Sequence, residues 1–501
     1  MKKITLLMIS LTLSAISINA QDGSLDISFG NNGIVQTVSA HEAFDMAIQN
    51  DGKIVVVGSI YTISGDDDFA IARYNPDGSL DNTFGSNGIV NVDFNGKNDG
   101  AISVAIQPDG KIVAVGSAQN SSNNNSDIAV IRLNTNGTLD NTFGSNGKYQ
   151  LDVDGYAYDF ALDVALQSDG KIVLVAKAGT DMFAKNAVVR LNSNGTLDNT
   201  FDGDGIIKAF SFSSFTISEL HSIAIQQDGK ILIAGSKNNS FSVARLNSDG
   251  TLDNSYATNG VFSGTGMATH SNLYLQSDGK LVATFSHATQ TNVILVRINQ
   301  NGYVDAGFGN NGYVYTQVGG VSTYDYAKDL VIQPNGKIVV AGSSYSSGFN
   351  SDYLVIRYNS DGSIDNTFGN NGIVVTSVAT ADEDRGKSVK LQSDGKIVVA
   401  GSSCTGSCDF VLLRYNNSEG AASINDLLNN MQLSVFPNPS KGQFTLQTNK
   451  SGVFELMDIT GRVLNTYTIK NNTEIIHTNL TSGIYFIREK ESGVTHKLII
   501  E

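Results

Sequence analysis

The stretch Leu25-Asp26-Ile27-Ser28-Phe29-Gly30-Asn31-Asn32-Gly33 decides the fold, because the chain repeats its pattern six more times. Every copy keeps an apolar residue first, Asp second, an aromatic residue fifth and Gly ninth. The later copies start at Leu80, Leu139, Leu197, Leu252, Val304 and Ile364. Because the copies follow one another at a nearly constant spacing, the sequence predicts seven copies of one supersecondary unit.

A second motif alternates with the first, in which a Gln stands two residues before Asp-Gly-Lys. Its glutamines are Gln49, Gln107, Gln167, Gln226, Gln276, Gln333 and Gln392. Only the sixth copy departs, with Asn335 in place of Asp. Asp-Gly between apolar runs predicts a two-residue hairpin in which both central residues have positive φ.

Each unit contains four short strand patterns. In the first unit these are Ala47–Gln49, Ile54–Val57, Phe69–Tyr74 and the residues from Gly88 onward. No segment of the repeats has helical periodicity. Four short strands per unit, repeated seven times, predict an all-β chain whose main domain, residues 21–415, is a seven-bladed β-propeller. A β-solenoid is the main alternative, but its coils are much shorter than these units.

The two motifs, in register in all seven copies, resemble the delta-60 repeat family. The resemblance covers roughly residues 23–415. It implies the propeller architecture and no particular reaction.

The repeats begin and end out of phase with the blades. Gly33, Ile34 and Val35 come before any hairpin, whereas the last copy ends on Phe410–Tyr415 without a fourth strand. We therefore expect residues 33–38 to pair with the strand at 409–415, so that the last blade is built 3+1 from both ends of the chain. This pairing would remove two open sheet edges.

Residues 1–20 have the order of a secretory signal peptide. Lys2 and Lys3 precede an apolar run, and small residues lead up to a cleavage site after Ala20. We expect no transmembrane span, because no apolar run reaches the roughly 20 residues that a span needs. The formal net charge of −15 argues against nucleic-acid binding, because it repels a phosphate backbone.

The C-terminal part of the chain departs from the repeats. Residues 416–432 are polar and are interpreted as a linker, whereas strands and turns over residues 433–501 predict a small β-sandwich. This segment resembles the type A C-terminal sorting domain of type IX secretion cargo in the Bacteroidetes. The residues that carry the resemblance include Pro437, Asn438, Pro439, Gly461, Gly483, Tyr485 and Lys497. The resemblance implies recognition by the type IX machinery, secretion, and attachment to the outer cell surface.

Residues that recur in every blade are interpreted as structural. We expect the motif aspartates to cap turns and to pair with the arginines that end each third strand, such as Arg73. The motif aromatic residue is expected to wedge between blades. The Asp-Gly-Lys hairpins and the motif turns should share one face. The loops of the opposite face vary in length and composition, and a rigid scaffold usually carries its binding residues on such loops.

The residue four before each motif Gln is small and polar. These residues are Asp45, Ser103, Asp163, Ser222, Asn272, Asp329 and Ser388. If they begin the innermost strands, they form a polar ring at the channel mouth on the variable face. Strand spacings of about 4.8 Å suggest that the three aspartates lie about 10 Å or more apart.

The candidate ligand site therefore combines these three aspartates with nearby aromatic residues. Its members are Asp45, Asp163, Asp329, Tyr158, Phe160, Tyr324 and Tyr326. The expected distances are too long for a shared, tightly bound metal ion. Capping of the strand ends beside channel water is the alternative interpretation of the ring.

No cofactor or metal site is predicted. Asp66-Asp67-Asp68 lacks the spaced ligands of an EF-hand loop and is interpreted as a solvated turn, with calcium as the alternative. The histidines outside the C-terminal segment, His41, His221, His270 and His287, are interpreted as scattered exposed side chains. Cys404 and Cys408 lie in one loop of an exported chain, which predicts a disulfide.

The sequence contains no motif that nominates a catalytic nucleophile or a phosphate loop. The leading hypothesis is a non-enzymatic surface protein for binding or adhesion, with an extracellular glycan or protein as its ligand. The alternative is a secreted polysaccharide hydrolase or lyase that uses the central funnel, because propellers carry both kinds of function. Paired carboxylates at a glycosidase-like separation would favour the enzyme.

Overall fold

The computed structural model describes residues 21–501 except 38–41, 63–64, 121–124, 154, 156–157, 180–184, 209–218, 238–239, 288–291, 320–323, 346–349, 379–382, 419–432, 437, 449–451, 460, 470–472 and 491–494. The predicted signal peptide, most of the predicted linker and Pro437 lie outside the described residues. The chain divides into two compact units, Met1–Gly420 and Ala421–Glu501. The described secondary structure is entirely β, and no described helix is long and apolar enough to cross a membrane.

The first unit contains seven four-stranded blades, as the sequence predicts. The strands of blades 1 to 3, after β1 (Ile34–Thr37), are β2 (Ala43–Ile48), β3 (Ile54–Tyr61), β4 (Asp67–Tyr74), β5 (Ile89–Val92), β6 (Asp99–Ile106), β7 (Ile112–Gln119), β8 (Ser126–Leu133), β9 (Lys148–Leu151), β10 (Phe160–Leu166), β11 (Ile172–Ala178), β12 (Lys185–Leu191) and β13 (Ile206–Lys208). Blades 4 and 5 comprise β14 (Glu219–Ile225), β15 (Ile231–Lys237), β16 (Ser240–Leu246), β17 (Val261–Leu275), β18 (Leu281–His287), β19 (Val293–Ile298) and β20 (Tyr313–Thr316). Blades 6 and 7 comprise β21 (Tyr324–Ile332), β22 (Ile338–Tyr345), β23 (Ser351–Tyr358), β24 (Ile373–Thr376), β25 (Glu383–Leu391), β26 (Ile397–Cys404) and β27 (Cys408–Tyr415).

Strand order within the blades is simple and antiparallel. Each of blades 1 to 6 runs from an inner strand to an outer strand in chain order, and β17 is long enough to close blade 4 and to begin blade 5. The predicted 3+1 pairing is present, because β1 pairs antiparallel with β27, from Ile34 opposite Leu413 to Thr37 opposite Phe410. Both ends of the first unit therefore contribute to blade 7.

The middle strands are continuously hydrophobic because neighbouring blades cover both of their faces. Val55 and Val57 of β3 belong to the same buried cluster as Ile112 and Ala114 of β7, in the next blade. Such strands lack the alternation of a half-exposed sheet. The core of the first unit is therefore a series of clusters, each between two adjacent blades.

The Asp-Gly-Lys hairpins contain one more loop residue than the sequence predicts. The Gln49 N–H donates to the Lys53 carbonyl at 2.8 Å, so the loop runs from Asn50 to Gly52. Gly52 has φ +83°, whereas Asp51 is not among the residues with positive φ. The predicted two-residue turn is therefore wrong: a type I turn is followed by one left-handed Gly. The Asp51 side chain accepts the Lys53 N–H at 3.1 Å.

Each motif Asp organises its own turn and binds two cations. The Asp81 Oδ1 accepts the N–H and hydroxyl of Thr83, at 3.0 and 2.6 Å, and Oδ2 accepts Arg73 Nε at 2.8 Å. Lys53, from the Asp-Gly-Lys hairpin, lies 3.4 Å from the same Oδ2. Burial opposes ionisation, but the bonds from Thr83 and Arg73 outweigh it and lower the pKa of Asp81 to about 2. The predicted pairing and the shared face of both turns are confirmed.

The same arginine joins each blade to the next. The Arg73 guanidinium carbon lies 4.3 Å from the centre of the Phe84 ring, and its Nη1 donates to the Thr135 carbonyl of blade 2. At Gly137, where φ is +88°, a Cβ atom would come within 3.0 Å of the Phe84 ring. The motif aromatic residue thus packs against the next blade, which confirms its predicted position. Six further aromatic residues face their arginines at 4.4 to 4.7 Å.

The ends of the first unit complete this pattern between blades 6 and 7. Arg357 is fully buried, and its Nη1 donates to Asn417 Oδ1 and to Asp22 Oδ2, the latter at 3.0 Å. The Gly23 N–H donates to the Asn416 carbonyl at 2.8 Å. Residues just after the predicted cleavage site therefore form part of the folded domain.

Four inner strands have a buried Asp at or next to their first residue, and this Asp anchors the preceding loop. Asp99, Asp159, Asp325 and Asp384 each accept a main-chain N–H from that loop. Asp99 also accepts the Gln119 N–H at 3.1 Å. Burial raises the pKa of Asp99 to about 7 and that of Asp159 to about 6, and neighbouring carboxylates add to both shifts.

The second unit is a small sandwich of two sheets. One sheet has the order β28 (Leu433–Phe436), β29 (Gln443–Thr448), β32 (Thr473–His477), and the other has the order β31 (Val463–Ile469), β30 (Gly452–Met457), β33 (Gly483–Glu489), β34 (Thr495–Ile500). Phe444 and Leu446 of the first sheet share a buried cluster with Leu456 and Ile487 of the second. The predicted β-sandwich is therefore present, with β28 and β32 as strands that the sequence pattern did not single out.

Several residues of the predicted sorting motif hold this sandwich together. The side chain of Asn438 joins the last strand, because it donates to the Lys497 carbonyl at 2.6 Å and accepts the Ile499 N–H at 2.8 Å. The Tyr485 hydroxyl donates to the Thr481 carbonyl at 2.9 Å. Gly461 occupies a turn at φ +83°, where a side chain would be strained.

We predict that Asp198→Ala lowers the free energy of unfolding by about 3–5 kcal/mol, because it leaves the buried Arg190 without its carboxylate. The control Asp169→Ala removes an exposed carboxylate on the same face and should cost about 1 kcal/mol or less. The measurement is urea denaturation followed by tyrosine fluorescence, since the chain has no Trp. Equal effects of the two substitutions would contradict the structural role of the motif Asp.

We also predict that the thermal unfolding midpoint is higher at pH 5 than at pH 7. The raised pKa values of Asp99 and Asp159 mean that the folded state holds protons that the unfolded chain has released above its ordinary pKa of 3.8. Their stabilisation is complete below pH 3.8 and is lost as pH rises through about 6 and 7. The variant Asp99→Asn cannot ionise there and should show a smaller difference. A midpoint that is constant or rises from pH 5 to pH 7 would refute this prediction.

Candidate functional site

The inner strands bring the predicted polar ring together around the channel. A side-chain hydrogen bond links most neighbours in the ring, in the order Asn272, Ser222, Asp163, Ser103, Asp45, Ser388, Asp329. Each hydroxyl stands beside at least one carboxylate. Aspartates and serines largely alternate in the sequence of ring residues. In the structure this alternation places hydroxyl groups between carboxyl groups around the channel.

The aspartates are closer together than the sequence suggests. The Ser103 hydroxyl lies 3.0 Å from Asp45 Oδ2 and 3.0 Å from Asp163 Oδ1, so a single hydroxyl oxygen spans the gap between the two carboxylates. Ser388 stands between Asp45 and Asp329 in the same way, at 2.8 and 3.0 Å. The separation of about 10 Å or more that the sequence suggests is wrong for these carboxyl groups. It is based on the spacing of the strands, whereas the side chains point towards the channel axis and approach one another there.

Each ring Asp also bonds the main chain of the following blade. Val104 N–H donates to Asp45 at 3.1 Å, Ile223 N–H to Asp163 at 2.9 Å, and Val389 N–H to Asp329 at 2.8 Å. Val104, Ile223 and Val389 are buried. The ring thus interlocks neighbouring inner strands, which supports the alternative interpretation of strand capping.

The ring has fewer protons than it has oxygen contacts. A serine hydroxyl has one proton, so Ser103 can donate to Asp45 or to Asp163 but not to both. The second contact is a hydrogen bond only when that carboxyl group is protonated. Burial raises the pKa of Asp163 to about 6, with Asp45 adding to the shift, and burial also raises the pKa of Asp45. Protonation of either carboxyl group therefore allows a hydrogen bond at both contacts of Ser103.

Lys390 is a central residue of the channel that sequence analysis missed. Its Nζ donates to Asp329 Oδ2 at 2.7 Å and to the Ser388 hydroxyl at 3.2 Å. Burial opposes its charge, but Asp329 and Asp45 outweigh burial and raise the pKa of Lys390. The sequence does mark Lys390 as unusual: it stands two residues before the motif Gln392, and four other blades have Ala at this position.

The channel mouth on the variable face is lined by bulged residues. In six of the seven inner strands the pairing register shifts at the residue that immediately precedes the ring residue in the sequence. Such a β-bulge changes the direction of the bulged residue's side chain. These residues are Phe44, Ile102, Leu162, His221, Lys328 and Lys387. Together with six of the seven ring residues, all except Ser388, they line a cavity of about 570 Å³. The mouth is apolar on the side of blades 1 to 3 and cationic on the side of blades 6 and 7.

The cationic side of the mouth consists of Lys328, Arg385 and Lys387. Arg385 forms ion pairs with Glu42 and Glu383. The Nζ of Lys328 lies 6.0 Å from the Tyr326 ring centre, and that of Lys387 lies 5.3 Å from the Phe44 ring centre. Burial, Lys387 and Arg385 lower the pKa of Lys328 to about 7. Burial lowers the pKa of Lys387 as well.

The predicted aromatic residues separate into two pairs. Tyr324 and Tyr326 line a second cavity of about 540 Å³, which shares Lys328 and Lys387 with the first. Tyr158, which is exposed, and Phe160 line neither cavity. The structure therefore joins the tyrosines of blade 6 to the mouth, and it does not join the aromatic pair of blade 3.

The acidic turn of blade 1 continues into blade 2. The carboxylate oxygens of Asp68, Asp93 and Asp99 lie within 4.8 Å of one another. Burial and the neighbouring carboxylates raise the pKa of Asp68 to about 6. Both oxygens of Asp99 already accept main-chain N–H groups, from Phe94 and Gln119. The interpretation as a solvated turn, with calcium as its alternative, stays a prediction.

His221 lines the mouth, so its interpretation as a scattered exposed side chain is wrong. Its side chain is 14% exposed, and Nδ1 lies 3.1 Å from the Ser271 hydroxyl. His41 and the side chains of His270 and His287 lie outside the described residues. The sequence motifs around His221 do not indicate the bulge that turns it towards the channel.

The two cysteines lie on the variable face of blade 7. Cys404 ends β26, Cys408 begins β27, and a disulfide joins them with a Cα–Cα distance of 4.0 Å. The bridge closes the loop between these two strands. It lies outside the ring and the cavities described above.

Comparison with solved structures finds chains of low sequence identity. A protein from Lactobacillus plantarum is 12% identical, with 88% of this chain and 100% of that chain covered and a TM-score of 0.42. Virginiamycin B lyase from Staphylococcus aureus is 11% identical, with coverages of 76% and 98% and a TM-score of 0.42. A PL25 ulvan lyase bound to a GlcA-Rha3S oligosaccharide is 13% identical, with coverages of 82% and 98% and a TM-score of 0.45. No curated protein matches the chain.

Family models match both units. The DUF5122 β-propeller domain of unknown function matches residues 49–84, 107–143, 167–201, 226–256, 276–308, 333–368 and 392–420. The secretion system C-terminal sorting domain matches residues 434–501. This domain directs secretion and attachment to the cell surface through the type IX system. The chain therefore belongs to the DUF5122 β-propeller family, with seven repeats in its first unit and a type IX sorting domain in its second.

Proposed function

We propose that this protein is a surface-attached binding protein that takes its ligand at the channel mouth on the variable face. The observation that carries the proposal is the set of bulged mouth residues. They differ from blade to blade, whereas the opposite face repeats one Asp-Arg-Lys arrangement seven times. Blade packing explains why the Asp-Arg-Lys arrangement is the same in every blade. It does not explain why the bulged residues at the mouth differ in size and charge.

The mouth has the composition of a ligand site. Its cavity of about 570 Å³ is in the usual range for small-molecule and cofactor pockets. Phe44, Ile102 and Leu162 offer apolar surface, while Lys328 and Lys387 offer cationic groups that fix orientation. Such a mixture of apolar wall and few polar groups favours one orientation of a bound molecule.

Hydrolysis through the ring carboxylates is the weaker alternative. The Ser103 hydroxyl lies 3.0 Å from Asp45 Oδ2 and 3.0 Å from Asp163 Oδ1, so the two carboxyl groups are close enough together to resemble a retaining glycosidase pair, whose carboxyl groups lie roughly 5–5.5 Å apart. Both oxygens of Asp163, however, already accept hydrogen bonds, from the Val164 N–H at Oδ1 and from Ser222 and the Ile223 N–H at Oδ2. A carboxylate that accepts this many hydrogen bonds is a poor nucleophile, so the geometry favours binding.

The test is a glycan and protein array probed with the secreted protein and two variants. Ile102→Trp places an indole in the mouth, and we expect it to lower every specific signal at least tenfold. Asn50→Trp adds the same group to an exposed hairpin on the opposite face and should leave the signals unchanged. The reverse result, with signals lost in Asn50→Trp and kept in Ile102→Trp, would place the binding site on the face of the Asp-Gly-Lys hairpins. That result would reject the proposal.

Binding at the surface requires export, which gives a second test. We expect deletion of residues 433–501 to leave the protein in the periplasm, because the sorting domain that the type IX machinery recognises is then missing. Immunoblots of periplasmic, surface and medium fractions measure this. The control is a full-length chain with Lys441→Ala, an exposed residue outside the motif residues. Normal surface display of the deleted chain would contradict the expectation.

A further inference from the structure

The cationic side of the mouth has no counterpart in the other blades. The chain has a formal net charge of −15, yet Lys328 of β21 and Arg385 and Lys387 of β25 line one cavity. At the positions of the two lysines, blades 1 to 3 have Phe44, Ile102 and Leu162. Packing of the inner strands therefore does not require a cation here.

Two of these cations lack a carboxylate partner in direct contact. Arg385 is neutralised by Glu42 and Glu383. Within the described part of the chain, no carboxylate oxygen lies within 4.0 Å of the Nζ of Lys328 or Lys387, and both side chains are partly buried. Glu42 attracts Lys387 only from a longer distance, and burial outweighs that attraction. Burial of an ammonium group without a counter-ion is costly, and a bound anion would remove this cost.

Tyrosine rings surround the same lysines. Tyr326 and Tyr345 meet edge to face with ring centres 5.4 Å apart, and Tyr324 is 52% exposed. Tyrosine combines a flat apolar face with a polar hydroxyl, which suits the C–H face and the hydroxyls of a sugar ring. The second cavity, of about 540 Å³, and the central cavity share Lys328 and Lys387. A ligand can therefore extend from the tyrosines across the lysines into the mouth.

On the basis of the proposed function, we infer that the ligand is an acidic glycan, whose carboxylate or sulfate group lies between Lys328 and Lys387 with its sugar rings against the tyrosines. An acidic peptide would bring the same charge. It would usually add to a free sheet edge, whereas this site is built from side chains. The observations therefore favour the glycan.

The test is calorimetric titration of the full secreted protein at low and moderate salt. The probes are hexagalacturonate, which carries carboxylates, a size-matched dextran sulfate, neutral maltohexaose and poly-glutamate. We expect at least one acidic glycan to bind tenfold or more tightly than maltohexaose, with weaker binding at higher salt. The carboxylated and sulfated probes distinguish the two sources of the acidic group.

The lysine variants locate the site. We expect Lys328→Met and Lys387→Met each to weaken binding of the acidic glycan at least tenfold. Methionine is an unbranched side chain only one atom shorter than lysine, and it removes the charge, so the unfolding midpoint of Lys328→Met should stay equal or rise. Lys97→Met removes an exposed lysine from a variable-face loop and should leave the affinity unchanged.

Different failures overturn different statements. If no acidic glycan binds, if the lysine variants bind as the wild type does, or if poly-glutamate binds tighter than every glycan, the acidic-glycan inference is overturned. A neutral or protein ligand that Ile102→Trp abolishes, but the lysine variants do not, would overturn the inference and keep the proposed function. A ligand that is insensitive to both kinds of change would overturn both.

Discussion

The contact among one motif Asp, one Arg and one aromatic ring is the interaction on which the rest of the first unit depends. Asp81 holds Arg73 in place, Arg73 covers Phe84, and the same guanidinium bonds a carbonyl of the next blade. A buried guanidinium is stabilising only when its donors are satisfied, so the Asp, the ring and the neighbouring carbonyl are required together. Because this set occurs once per blade, it joins the seven blades at one face.

A scaffold held together at one face leaves the other free to vary. The inner strands are joined a second time by the polar ring, where Asp45, Asp163 and Asp329 bond the following strand. Just beyond that ring a bulge turns one residue of most inner strands towards the axis. The blades pack alike although these bulged residues differ, and their differences in size and charge give the mouth its two unlike sides.

Two lysines of the channel, Lys390 beside the ring and Lys328 at the mouth, have opposite electrostatic surroundings. In the ring, Lys390 is surrounded by carboxylates and keeps its charge, as its raised pKa indicates. At the mouth, burial and like charges lower the pKa of Lys328 to about 7. The first lysine belongs to the structure, because its charge is satisfied by Asp329. The second has the buried, uncompensated character that is more common at functional sites than in structural networks.

The sequence by itself determined the number of blades, the strands of each blade, the 3+1 pairing of β1 with β27 and the pairing of motif Asp with Arg. These features are local or repeated, so one correct copy implies the others. The separation of the ring aspartates, the position of Lys390 and the meeting of Lys328 with Lys387 were decided only by tertiary structure. They depend on side chains from the inner strands of different blades converging on one axis, and on bulges that leave no mark in the motifs. The strands and the number of repeats can be predicted from local sequence patterns. The contacts in the channel form only when all seven blades are assembled and bring side chains from different blades together.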